Sequence, residues 1–123
     1  MNFLSVGLGG ALGSMLRYGL SLFTIKMEFP AITFLTNFAG ALIIGFIAGA
    51  VSIGKNPSSS LLLFWKTGFC GGFTTFSTFS LETVTLLENR HYGTGLFYIG
   101  ASLLLCLAGV CIGKVLAKTL LLH

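Results

Sequence analysis

The near-absence of charge along this chain is the feature that most constrains its fold. Residues 32–53 contain no charged side chain at all. Charged residues make up 8% of the 123 residues, against about 25% in an average soluble domain, and the mean hydropathy is +0.96. Such a chain is predicted to lie in a lipid bilayer, because it has too few polar side chains to cover a surface that faces water.

Short polar stretches divide the chain into four apolar segments. A helix needs about 20 apolar residues to cross the hydrocarbon core, and the predicted spans cover roughly residues 3–25, 32–53, 61–87 and 93–113. Four spans place both termini on one side and leave no room for a soluble catalytic domain. We therefore predict a single all-α membrane domain with four transmembrane helices.

The third segment is not predicted to be one regular helix. Its uncharged stretch, residues 67–81, contains the pair Gly71-Gly72 followed by the β-branched Thr74 and Thr75, a combination that weakens a helix. A break frees backbone carbonyls, and these are tolerated only where protein or a cavity covers them. In discontinuous membrane helices such carbonyls coordinate cations such as Na⁺. The alternative is a helix that is merely kinked by hydroxyls bonding back to carbonyls.

Phenylalanine recurs at every third position after the glycine pair, at Phe73, Phe76 and Phe79. We expect Phe73 to pack, whereas Ser77 and Thr78 between the later rings favour an interior polar track. Aromatic rings carry a positive edge. Ring edges and hydroxyl donors together suit a small anion, because permeation needs weak, repeated sites and not a fixed charge that would trap the ion.

Two other predicted spans carry polar groups. Asn37 is the only amide within any span, and it either holds helices together or donates to a passing anion. Tyr98, Ser102 and Cys106 follow at intervals of four residues, which places them on one helical face.

Three charged residues fall inside the predicted spans: Arg17, Lys66 and Glu82. An arginine in hydrocarbon is costly. We expect Arg17 either to reach the interface or to pair with a carboxylate such as that of Glu82.

Small residues at helical spacing predict close helix packing. The seams are Gly9/Gly13, Ala41/Gly45/Gly49 and Gly109/Gly113. We expect them to join two chains, the alternative being tight packing inside one four-helix monomer. The Lys and Arg residues near the span ends are almost balanced between the two sides, which favours insertion in both orientations over a single one. Two copies inserted in opposite directions would form an antiparallel pair.

Several other function classes are not expected. Cys70, Cys106 and Cys111 lie in apolar stretches without the spacing of metal ligands. His91 and His123 have no nucleophile or base around them in the sequence, so enzymatic activity is not predicted. The net charge of +4 includes no basic run, and nucleic acid is not expected as a partner.

With these residues in place, the chain closely resembles the Fluc (CrcB) family of fluoride channels, small four-span bacterial membrane proteins. The resemblance covers essentially the whole length. It is carried by residues 9–18 and 36–40 and above all by residues 68–80, GFCGGFTTFSTFS. It implies an antiparallel dual-topology homodimer in the bacterial inner membrane, with two fluoride pores that are each built from both subunits.

The resemblance also implies roles for individual residues. Phe76 and Phe79 match an aromatic box whose ring edges face fluoride, and Asn37 matches the pore amide near it. Ser77 and Thr78 match hydroxyls of a polar track that follows the first box phenylalanine.

Further roles follow from the same resemblance. Tyr98 and Ser102 match a pore-lining face of the fourth span. Gly71 and Thr74 match residues whose carbonyls, from both subunits, hold a structural Na⁺ at the dimer interface. Two residues match polar positions near the vestibule: Arg17 and Glu82.

The main alternative is a small multidrug-resistance-type exporter, which also has about four spans in a short chain. That chemistry uses a carboxylate in the first span, and the first span here has none. A non-transporting assembly subunit is a third class, in which the hydroxyl-rich stretch would only pack.

Overall fold

A computed structural model describes residues 1–23 and 25–122, and Thr24 and His123 lie outside the described residues. Within those two ranges the chain is helical and contains no strand, so the all-α prediction is confirmed. The helices are α1 (Asn2–Ser21), α2 (Ala31–Ser52), α3 (Ser59–Leu62), a π-helical segment (Leu63–Cys70), α4 (Gly71–Phe73), α5 (Phe76–Glu88) and α6 (Tyr92–Leu121).

Two of these helices have the length and the apolar composition needed to cross a membrane. They are α2, with 22 residues, and α6, with 30. At 1.5 Å per residue each is at least as long as the roughly 30 Å hydrocarbon core.

The long helices α2 and α6 lie side by side and run in the same direction. A Cβ atom added at Gly45 would lie 2.8 Å from the Cα of Val110, and one added at Gly49 would lie 2.8 Å from the Cα of Lys114. Because the contact positions advance together along both helices, the helices are parallel. Their backbones meet so closely that only hydrogen fits at these positions.

Helix α1 packs in the same way against the π-helical segment. A Cβ added at Gly68 would lie 2.7 Å from the carbonyl oxygen of Val6, and one added at Gly72 would lie 3.1 Å from the amide of Ser14. Because Gly72 belongs to α4, helix α1 runs parallel to the π-helical segment and α4 taken together. The start of α1, the loop 53–58 and the end of α6 consequently share one end of the molecule, and the loop 22–30 and the turn 89–91 share the other.

The prediction that the small-residue seams join two chains is wrong. All seven seam residues are buried within a single chain. There they let α1 pack closely against the third segment and α2 pack closely against α6. Apolar side chains gain little by leaving lipid for another apolar surface, so helices in a bilayer associate through close backbone approach, and the chain uses its small residues for that purpose internally.

The third segment leaves the helical path after residues 59–73. Thr74 has φ −90° and ψ 157°, and Thr75 has φ −149° and ψ 122°, which are both extended conformations. Before this point the turns widen into the π-helix, which the sequence did not indicate. π-Helical turns often occur at functional sites, and this one carries Gly68, which lies close against the backbone of α1.

We expect Gly113→Ala to destabilise the protein, because the new Cβ would overlap the carbonyl oxygen of Leu42 and lie 2.7 Å from the amide of Phe46. Overpacking of this kind costs about 1–3 kcal/mol. Thermal unfolding in detergent micelles measures the effect. Gly100→Ala on the same helix is the control, since a Cβ there meets nothing within 4 Å. Equal unfolding temperatures for the two variants would contradict the α2–α6 packing.

Candidate functional site: a groove lined by hydroxyl, amide and aromatic groups

The side chain of Asn37 on α2 holds the break between α4 and α5. The Thr75 amide donates to Asn37 Oδ1 at 2.8 Å, and Asn37 Nδ2 donates to the Thr75 carbonyl at 3.2 Å. One side chain therefore pairs both backbone groups of an extended residue, which hydrocarbon would leave unsatisfied at a cost of several kcal/mol. An amide nitrogen carries two hydrogens, so Asn37 keeps a second donor in addition to the one used here.

The hydroxyls around the break are used mostly for local structure. Thr75 Oγ1 accepts the amide of Thr78 at 3.1 Å and thereby caps the start of α5. Thr75 Oγ1 also lies 3.2 Å from Ser77 Oγ, and Ser80 donates to the Phe76 carbonyl at 2.8 Å. Ser77 is exposed. Of the two residues predicted to form a polar track, Ser77 contacts the capping hydroxyl through its own hydroxyl, whereas Thr78 contributes its backbone amide to the cap.

A groove of about 660 Å³ runs alongside the break, between α2, the third segment and α6. Six of the eleven residues singled out from the sequence line it: Asn37, Gly71, Thr74, Phe76, Phe79 and Ser102. Cys106 also lines it, one turn beyond Ser102. The structure therefore brings together residues from three separate predicted spans.

Phe76 and Phe79 form a pair of rings on one side of this groove. Their centroids are 5.5 Å apart with an interplanar angle of 46°. Phe79 is 8% exposed, whereas Phe76 is 74% exposed, a high value for a phenylalanine that lines a cavity. Both rings line the groove, and aromatic rings carry a positive edge that can face an anion.

Ser102 supplies the clearest indication of a bound ligand. It is 7% exposed, and its Oγ is the one buried side-chain polar atom without a hydrogen-bond partner in the described part of the chain. An unpartnered buried hydroxyl costs about 1–3 kcal/mol. Because Ser102 lines the groove, its hydroxyl is available to a ligand that enters the groove.

A second polar cluster lies behind Phe79 and is centred on Glu82. Thr33 donates to Glu82 Oε2 at 3.1 Å, and the hydroxyl of Tyr98 donates to Oε1 at 3.0 Å. Tyr98 is fully buried and does not line the groove, but its ring lies 4.9 Å from that of Phe79. Sequence reasoning missed Thr33, although it lies four residues before Asn37 and hence on the same helical face.

Arg17 does not pair with Glu82. Its Nε donates to the Gly72 carbonyl at 3.1 Å, in the last turn before the break. The carbonyls that end a helix lack donors further along the chain, so a cation from α1 can take one of them. Glu82, one of the two residues predicted to lie near the vestibule, has its carboxylate on Thr33 and Tyr98 instead.

The sequence also gave no indication of Lys66 or Phe29 as parts of the site. Lys66 is the only charged residue among the described residues that line the groove. Phe29, in the loop 22–30, packs its ring 5.3 Å from Tyr98. The neighbouring Glu28 holds this loop in place by accepting the hydroxyl of Thr94 and pairing with His91 at 3.2 Å.

We expect Asn37→Ala to lower the stability of the fold by about 1–3 kcal/mol, because it leaves both backbone groups of Thr75 without partners. The midpoint of thermal unfolding in detergent measures this loss. Asn56→Ala, in the exposed loop 53–58, is the matched control and should unfold like the unaltered protein. If Asn37→Ala also unfolded at the unaltered temperature, Asn37 would not be what holds the break.

Comparison with known proteins places this geometry in a family. The family model described as "CrcB-like protein, Camphor Resistance (CrcB)" matches residues 4–114. The chain is 48% identical over 118 residues to "Fluoride-specific ion channel FluC 2" of Bacillus subtilis (strain 168), covering 92% of this chain and 88% of that one.

Relatives from other bacteria are similar over an even larger share of the chain. "Fluoride-specific ion channel FluC" of Ruminiclostridium cellulolyticum is 41% identical, covering 98% of this chain and 95% of the relative. The protein of the same name from Agrobacterium fabrum is 39% identical, covering 98% of both chains. A match to the family model over nearly the whole chain, with relatives this similar, means that the chain belongs to the CrcB family.

Proposed function

We propose that this protein is a fluoride-selective ion channel that lets fluoride leave the cytoplasm down its electrochemical gradient and so lowers fluoride toxicity. The partnerless hydroxyl of Ser102, in a groove that also holds Asn37 and the Phe76–Phe79 pair, is the observation that carries the proposal. The related chains named as fluoride-specific channels supply the identity of the ion.

The groove offers neutral donors to a small anion, and Lys66 is the one charged residue among the described residues that line it. Asn37 and Ser102 are neutral, and the Phe76 and Phe79 rings contribute only positive edges. Such contacts replace part of the hydration shell while holding the ion weakly enough to release it. Tyr98 packs behind Phe79 and donates to Glu82, so it supports the Phe79 ring from outside the groove.

A passive pore is sufficient for this task. In acidified surroundings fluoride is protonated to neutral HF, which enters the cell and dissociates in the more alkaline cytoplasm. The fluoride anion is then trapped inside, and the membrane potential expels it once a pore exists. Proton-coupled exchange has no carrier in the first span, because α1 contains no acidic residue. The exporter alternative accordingly has no support, and the protein is a transporter and not an enzyme.

The working unit is proposed to be an antiparallel homodimer of four-span chains in the bacterial inner membrane. Phe76 is 74% exposed beside the groove, so a second copy that covers it would complete the pore wall. Lys and Arg are nearly balanced between the two ends of the molecule, which permits insertion in both directions.

Sodium is proposed as a structural ion at the dimer interface. Gly71 and Thr74 both line the groove, next to the point where the helix ladder is interrupted. Backbone carbonyls at such a break suit a hard cation, and Gly71 has no side chain to obstruct one. When bound, the ion would supply positive charge where two broken helices meet.

The aromatic pair is tested by fluoride efflux from liposomes that contain the purified protein, read with a fluoride-selective electrode. Phe76→Ile and Phe79→Ile should each slow efflux about tenfold or more, because losing ring edges that replace hydration raises the barrier by about 1.4 kcal/mol or more. Phe3→Ile is the control, since Phe3 is 95% exposed at the start of α1. Unchanged efflux in both pore variants, with protein shown to be inserted, would remove the rings from the mechanism.

Ser102→Ala separates a ligand-binding hydroxyl from a structural one. The variant should slow fluoride efflux about tenfold while leaving thermal stability unchanged or slightly raised, because it removes a buried hydroxyl that has no protein partner. A loss of stability together with a loss of efflux would indicate a structural role. Normal efflux would exclude this hydroxyl from the ion path.

Orientation in the membrane tests the dimer separately from the ion path. Reporter fusions at the C-terminus should give signals from both sides of the membrane for the unaltered chain. Adding Lys residues to the loop 53–58 should fix one orientation and abolish efflux, because an antiparallel pair needs both. A single orientation of the unaltered chain would contradict the antiparallel arrangement.

A further inference from the structure

A second cavity, of about 390 Å³, shares no lining residue with the groove. It is an open depression bordered by the last turns of α2, by the loop 53–58, by α3 and by the start of the π-helical segment. Its apolar walls come from Phe46, Ile47, Val51, Leu61, Leu62 and Trp65. The volume falls within the range of ligand pockets in proteins, about 300–1,000 Å³.

The position of this cavity corresponds to the level of lipid headgroups. It lies where α2 ends and α3 begins, so its mouth is at the end of a span and its depth extends into the hydrocarbon. Trp65 is 39% exposed there, and Lys55 is exposed in the loop above. Tryptophan and lysine are the residues that membrane proteins place at the interface.

The end of the molecule where this cavity lies carries positively charged side chains. Lys55, Lys114 and Lys118 lie at or near it, in the loop 53–58 and the last turns of α6. The three acidic residues of the chain, Glu28, Glu82 and Glu88, belong to the loop 22–30 and to α5, towards the opposite end. An anionic group at the mouth of the cavity is therefore attracted by several lysines and repelled by no acidic side chain.

Lys55 connects the apolar cavity to this positive end. It lines the cavity together with Asn56 and Pro57, and it has no salt bridge among the described residues. A lysine can lay its aliphatic stem along an apolar wall while its ammonium group remains at the polar surface. The stem of Lys55 can therefore pack against an acyl chain inside the cavity while its ammonium group binds a phosphate at the mouth.

We propose that this cavity binds an anionic phospholipid, with one acyl chain between α2 and α3 and the phosphate on Lys55. A zwitterionic lipid offers the same acyl chain, but its own cation offsets the attraction of the lysines. The site therefore selects a net negative headgroup of the phosphatidylglycerol type. This inference depends on membrane insertion and not on which ion the protein conducts.

Trp65 is the only tryptophan of the chain and lines the cavity, so its fluorescence reports on the bound lipid. The protein is reconstituted in vesicles with a fixed ratio of phosphatidylglycerol to phosphatidylcholine, and bromine is placed on the acyl chains of one lipid or of the other. Bulk charge is then identical in both samples. Brominated phosphatidylglycerol should quench Trp65 more strongly than brominated phosphatidylcholine at equal mole fraction.

Lys55→Gln should weaken the preference for phosphatidylglycerol about fivefold, the factor expected for one lysine near an anionic surface. Lys118→Gln is the matched control, because it removes the same charge at the same end without touching the cavity. Lys55→Arg should keep the preference, which shows that an altered residue 55 is compatible with insertion. Fluoride efflux, recorded on the same vesicles, is a separate readout.

Two results would overturn the proposal. Equal quenching of the unaltered protein by the two brominated lipids would mean that the cavity holds acyl chains without regard to headgroup. Equal loss of preference in Lys55→Gln and Lys118→Gln would mean that a diffuse surface charge attracts the lipid and that Lys55 forms no site.

Discussion

The pair of hydrogen bonds between Asn37 and Thr75 is the interaction on which the rest of this structure depends. A helix that stops inside hydrocarbon leaves amides and carbonyls without water. One amide side chain on α2 offers both a donor and an acceptor, so it can pair both groups of an extended residue. The break then directs Phe76 and the rest of α5 along a new path, and the groove opens beside it.

Close backbone packing holds together the two pairs of helices that flank the groove. Gly45, Gly49 and Gly113 bring α2 and α6 together, and Gly68 and Gly72 do the same for the third segment and α1. Without a hydrophobic force between helices in lipid, this close approach is the main source of attraction. Each pair of parallel helices is held together by contacts within one chain. The ring of Phe76 remains exposed on the surface.

Much of the fold and part of the site could be predicted from the sequence. The scarcity of charge predicted an all-α membrane protein, and the glycine pair before Thr74 predicted where regular helix would fail. Asn37 and the later phenylalanines were identified because polar or regularly spaced aromatic residues are conspicuous in apolar spans. Thr33 was missed because a threonine in a span most often bonds only to its own helix, and its contact with Glu82 joins residues 49 positions apart.

Other errors share one cause. Small-residue spacing predicts that a helix approaches another closely but not which helix, so the seams were assigned to a dimer although they pack within one chain. Arg17 was expected at the interface or on a carboxylate, yet it bonds a carbonyl that exists as an acceptor only because the helix ends nearby. In both cases the partner belongs to a different segment, and local sequence does not specify it.

The sequence by itself determined that this protein belongs in a lipid bilayer. It also determined the approximate number and limits of the apolar segments and the residue types available for an ion path. These follow from hydropathy and from local helix propensity, which act over a few residues at a time. Only the tertiary structure decided which polar groups would be used up by the fold and which would remain for a ligand. The backbone of Thr75 is satisfied by Asn37, whereas one Asn37 amide hydrogen and the Ser102 hydroxyl are left over, because that outcome depends on how three segments meet in space.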